Sequence, residues 1–92
     1  MISYTDHARI KMVLELRKHG VTDAIVAQIM NKPDEVLHDA QTNRDITISW
    51  SHKTAVVYET KGSDHLIITI IYSSTLRDTV KRRRRSGRWT QS

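Results

Sequence analysis

His7 and Lys11 stand one helical turn apart near the start of the chain, and Tyr72 lies far along it, at the end of an apolar run. An unperturbed imidazole titrates near ~6.5 and moves protons at neutral pH. A lysine one turn along the same face can hold phosphate, and a tyrosine hydroxyl can donate or accept at the rim of a site. A second set closes the chain: Lys81, Arg82, Arg83, Arg84, Arg85 and Arg88, followed by Trp89. Guanidinium groups clamp phosphate oxygens through a planar fork of donors. Side chains of these types are suited to chemistry on a phosphate ester, of which metal-independent RNA cleavage is one example. That reaction takes a proton from a 2′-hydroxyl, stabilises charge on phosphorus and protonates the leaving oxygen. His7, Lys11 and Tyr72 are therefore the catalytic candidates, and Lys81 to Arg85, Arg88 and Trp89 the nucleic-acid-binding ones. Each has a plainer reading. His7 can pack in a first helical turn, Lys11 can be a solvated helix charge, and Tyr72 can be core. Trp89 can fold back over Gly87 onto a sheet instead of stacking on a base. No two histidines are spaced i, i+4 and there is no cysteine, so no metal is expected. The three glycines are isolated, which removes a phosphate-binding glycine loop and leaves no cofactor implied.

Charge supports the binding half of this reading through its placement. Net charge is +5, but six of the 15 basic residues and no acid fall in residues 81–92. Residues 1–80 hold the other 9 basic residues and all 10 acids, a net of −1. Positive charge confined to one short segment implies a polyanionic partner, most simply nucleic acid. An acidic protein is the other partner class. The chain of 92 residues reads as one domain, with residues 1–80 forming the body and 81–92 its basic helix end and tail. A core of that size is modest, so a homodimer would add buried area. The absence of cysteine fits a reducing compartment. No signal-like apolar core or membrane-length run is present, so a cytoplasmic protein with no membrane partner is expected.

The elements that must position these residues follow from periodicity. Ser3 or Thr5 caps a first helix whose apolar face is Ile10, Val13 and Leu14 with Met12 and Leu16 beside them, and His7, Lys11, Glu15 and Lys18 run along a wetter stripe. Gly20 fits a left-handed helix terminator. Thr22 caps a second helix with Ile25, Val26, Ile29 and Met30 as its buried stripe, stopped before Pro33. The period then switches to alternation over residues 35–39, 46–50, 54–60 and 65–72, joined by short turns that dictate antiparallel pairing. The last of these, HLIITIIY, is apolar on both faces. Leu66, Ile68, Ile70 and Tyr72 alternate against Ile67, Thr69 and Ile71, so it reads as a strand covered on both sides. Thr75 and Asp78 are spaced for a capping box at the head of a third, basic helix ending at Gly87. The expected architecture is α+β: two N-terminal helices packed on a four-stranded antiparallel sheet, with a basic C-terminal helix.

The opening His7-Ala8-Arg9-Ile10-Lys11-Met12, the Gly20-Val21-Thr22 helix start and the Asn31-Lys32-Pro33-Asp34-Glu35-Val36 break resemble a family of short prokaryotic domains of unknown function. So does the Ser86-Gly87-Arg88-Trp89 tail, which is similar to that of archaeal-looking members. The resemblance covers nearly the whole chain. Where that family carries an Arg-Gly pair after the first helix, this chain has His19-Gly20. The family is grouped with the RelE/ParE-like toxin fold. The resemblance thus implies a RelE-like architecture, RNA in preference to DNA, a possible toxin-type endoribonuclease activity, and neutralisation by an acidic antitoxin-like protein.

Overall fold

Thr5 joins the two layers on which the rest of the molecule is built. In the computed structural model, which describes residues 1–92, its hydroxyl accepts the amide of Ala8 at 3.1 Å and caps helix α1 (Asp6–Leu14). The same hydroxyl donates to the carbonyl of Ile68 at 3.0 Å, in strand β5 (Asp64–Tyr72). One side chain thus satisfies a helix end and pins it to the sheet. Just before it, Ile2–Tyr4 forms a short strand, β1, which pairs parallel with β5. Thr22 caps α2 (Asp23–Asn31) by accepting the amide of Ile25. Between the helices lies a single-turn 3-10 segment, Leu16–His19, closed by Gly20 at φ +78°. That left-handed backbone favours glycine.

The sheet has six strands in the order β1-β5-β4-β3-β2-β6. Its middle is the expected antiparallel set: β2 (Glu35–Asp39), β3 (Arg44–Ser49), β4 (Thr54–Lys61) and β5. The four-stranded expectation is corrected at both edges. β1 covers β5, and β6 (Trp89–Gln91) pairs antiparallel with β2. Three residues are too few to show a period, and both pairings join segments far apart in sequence. The third helix, α3 (Leu76–Arg85), precedes β6. The boundary drawn between residues 80 and 81 therefore falls inside α3. Its capping box does not form. The Thr75 hydroxyl is paired with the Ser73 hydroxyl at 3.2 Å and makes no cap.

Each face of the sheet has its own core. On one, Ala8, Met12, Leu16, Val26 and Ile29 pack on Val56, Tyr58, Ile67 and Ile70. On the other, Leu76, Val80 and Trp89 pack on Leu37, Ile46, Ile48 and Val57. The molecule is a three-layer α+β domain, with the sheet between α1 and α2 on one side and α3 on the other. Strict alternation in β5 is broken. The register slips between Val57 and Tyr58, which pair with Thr69 and Ile67. Ile68 is the extra residue of a bulge, so Ile67 and Ile70 share one core while Ile68 and Ile71 face the other. A second correction concerns α1. Ala8 and Met12 face the sheet, while Ile10, Val13 and Leu14 are 57, 57 and 72% exposed. Helical spacing groups these three on one face, but periodicity does not say which face meets the sheet. Ile70→Ala should therefore cost about 2–5 kcal/mol in a denaturant titration, against less than about 0.5 kcal/mol for Leu14→Ala.

Candidate functional site

The first candidate site is assembled by three elements. Lys11 and Glu15 come from the end of α1, Lys18 and His19 from the 3-10 turn, and Tyr72 from the last position of β5. These residues line a depression of about 280 Å³. Buried Leu16 and Val21 anchor the turn on either side of His19, and Gly20 reverses the chain between them. His19 consequently lies flat on Tyr72, with ring centroids 4.1 Å apart and planes 10° from parallel. Tyr72 packs against the core shared with α1, which holds the pair in place. Chemically, the depression offers one imidazole for proton transfer, one phenol, two ammonium groups for an anion and one carboxylate.

Of the three catalytic candidates, Lys11 and Tyr72 are brought together here. His7 is not among the lining residues. It borders an adjoining, more open depression of about 390 Å³ with Ile10, Lys11, Leu14 and Glu15. His19 takes the place beside Tyr72. The sequence does not single it out for this role, because nothing in local spacing links residues 19 and 72. Its only local signal is its position before a glycine that must adopt positive φ.

The second candidate site is α3. Leu76 and Val80 bury one side of it. At about 100° per residue, the opposite side carries Lys81, Arg82, Asp78 and Arg85. The consecutive basic residues divide accordingly. Arg84 is paired with Glu35 at 3.1 Å, and Arg88 with Asp39 at 3.2 Å. Arg83 lies over the Trp89 ring, 4.9 Å from its centroid. Lys81, Arg82 and Arg85 are exposed, and none forms an ion pair within the molecule. Arg82 donates only to the Thr79 hydroxyl, at 3.4 Å. Trp89 is 2% exposed, and its indole N–H donates to Asp39 at 3.3 Å. It is a core residue folded back onto the sheet, so its ring presents no free face for a base.

The two sites lie on opposite faces of the sheet, because α1 and α3 belong to different cores. His7 and Lys11 therefore do not converge with Arg82 to Arg85 on one phosphate. No three His, Asp or Glu side chains gather closely enough to hold a metal ion. No helix is long and apolar enough to cross a membrane.

The fold and its two polar sites define an α+β domain with a cationic helix on one side and a His–Tyr–Lys depression on the other. Compared with family models, curated proteins and solved structures, the chain matches none.

Proposed function

We propose that this protein binds nucleic acid, RNA in preference to DNA, by laying the outer face of α3 on backbone phosphates. The observation that carries this is the unpaired trio Lys81, Arg82 and Arg85 on the side of α3 opposite Leu76 and Val80. Like charges held on adjacent turns repel unless a counter-anion sits between them. A phosphate chain supplies one per nucleotide. Arg84 adds reach, since its half-exposed pair with Glu35 is worth no more than about 1 kcal/mol and can exchange partners. The preference for RNA and the RelE-like grouping rest on the resemblance described above. Affinity for a labelled RNA, measured across a salt series, tests the reading. Three phosphates neutralised give a log–log slope of roughly −2 to −3. A flat salt response would sink it. Elution from the cell extract with an acidic protein instead of nucleic acid would reassign the same face to a protein partner.

The His19–Tyr72 stack favours a second activity, metal-independent ribonuclease chemistry in the Lys11 depression. There His19 exchanges protons with the 2′-hydroxyl and the leaving oxygen, Tyr72 holds the imidazole plane, and Lys11 and Lys18 offset charge on phosphorus. Removal of a general acid–base group lowers such rates by roughly 10²–10⁴-fold. His19→Ala should show that loss, and His7→Ala should leave the rate nearly unchanged. Cleavage that survives His19→Ala assigns the chemistry elsewhere.

A further inference from the structure

We propose that the nucleic acid bound by α3 is single-stranded, and that one of its bases stacks where Arg77 covers Trp50. This rests on the phosphate-binding role of α3 and adds the class of strand to it.

Arg77, Lys81 and Arg85 follow one another at i, i+4 and i+8, a stripe of about 12 Å along the helix. It extends the cationic face to the first turn of α3. At that end the Arg77 guanidinium sits over the Trp50 ring, 4.4 Å from its centroid. Trp50 is half-buried and packs against the second core. Its backbone amide is held by the Asp34 carboxylate at 2.7 Å. The ring is therefore a fixed support and the exposed guanidinium a plate upon it. Guanidinium planes and aromatic rings are the surfaces on which unpaired bases stack, whatever their sequence.

The surroundings supply the rest of a nucleotide site. Trp50, Arg77, Lys53, Thr75 and Asp78 line a depression of about 230 Å³. Lys53 is exposed on the β3–β4 turn at φ +53°, and its carbonyl accepts the amide of Ser73 at 3.0 Å. That bond ties the turn to the chain entering α3 and keeps the lysine beside the plate. A phosphate next to a stacked base would meet Lys53 on one side and the α3 stripe on the other. A duplex hides the faces of its bases. It could use the α3 cations but not the plate, so single strands should bind more tightly.

The test compares a labelled 12-nucleotide oligouridylate with an RNA hairpin of matched charge at one salt concentration. The expected result is at least about tenfold tighter binding of the single strand. It should also quench tryptophan emission, which reports Trp50 because Trp89 is buried beneath Arg83. Trp50→Ala should lower single-strand affinity about tenfold and leave hairpin affinity unchanged. Arg77→Lys keeps the charge and removes the plane. It should erase the preference with the salt slope intact, and it decides the matter if Trp50→Ala does not fold. Equal affinity for both RNAs without quenching overturns the single-strand proposal alone. Binding to neither overturns the role of α3 as well.

Discussion

Replacing Lys81, Arg82 and Arg85 together with alanine is expected to weaken RNA binding on the order of 100-fold near 0.1 M salt. The magnitude follows from counterion release. Each phosphate neutralised contributes roughly −0.7 to −0.9 to the slope of log affinity against log salt, so leaving three phosphates without their cations at ~0.1 M costs two decades or more. The slope itself should fall by about 2 to 3. Folding should be spared. All three side chains are exposed, none is ion-paired within the molecule, and alanine is at least as good a helix former. The contrast with Arg88 is the control. That guanidinium is paired with the buried Asp39, so Arg88→Ala should lower stability while changing affinity less. If the triple variant binds as tightly as the wild type, the outer face of α3 is not the binding surface.

Asp39→Asn is expected to be the most damaging single polar substitution, at about 2–4 kcal/mol. Asp39 is 4% exposed and accepts four hydrogen bonds. Its Oδ1 takes the amides of Gln41 and Thr42 at 2.9 and 3.1 Å. Its Oδ2 takes Arg88 Nε at 3.2 Å and the indole N–H of Trp89 at 3.3 Å. One carboxylate thus closes the β2–β3 turn and fastens β6 to the sheet edge. An amide of the same shape turns one acceptor into a donor facing two donors. The thermal midpoint should drop, and Trp89 emission should shift to the red as the tail loosens. Acid should have a related effect. Burial pushes the Asp39 carboxyl up, but the Thr42 and Gln41 amides and the Arg88 guanidinium together outweigh it and leave it below its usual value. A carboxylate with a depressed native pKa stabilises the fold above the unfolded value, about 3.9, and loses that contribution as pH falls through the native one. Stability of the wild type should therefore fall below about pH 4 more steeply than that of Asp39→Asn. Parallel acid limbs in the two proteins would contradict this.

Much of the fold was legible because local chemistry left no alternative. Of the two candidate caps of the first helix the structure uses Thr5, and Thr22 caps the second as expected, whereas Gly20 closes the 3-10 turn that follows α1, which itself ends earlier, at Leu14. Apolar alternation and short turns likewise dictated the antiparallel middle of the sheet. The confinement of the excess positive charge to the C-terminal segment needed no structure at all. Four features were not legible. The edge strands β1 and β6 pair segments distant in sequence and are too short to show a period. A one-residue bulge in β5 changed which isoleucines share a core. The stripe of Ile10, Val13 and Leu14 proved to be the outer face of α1, because Ala8 and Met12 fit closer to the sheet.

For the candidate sites the division is sharper. Residue types alone determined that this chain has a cationic C-terminal helix and histidine, lysine and tyrosine side chains suited to phosphate chemistry. Tertiary structure decided which of them meet. His19 reaches Tyr72 because a left-handed glycine turns the chain between two buried residues, and His7 is left in the next depression. Of the six basic residues at the C-terminus, Arg84 and Arg88 are drawn to Glu35 and Asp39 across the fold, and Arg83 is drawn to Trp89. The physical reason is that a side chain's partners depend on distances across the sheet, which periodicity does not encode, whereas its charge and its place on a helix are set by the residue and its neighbours.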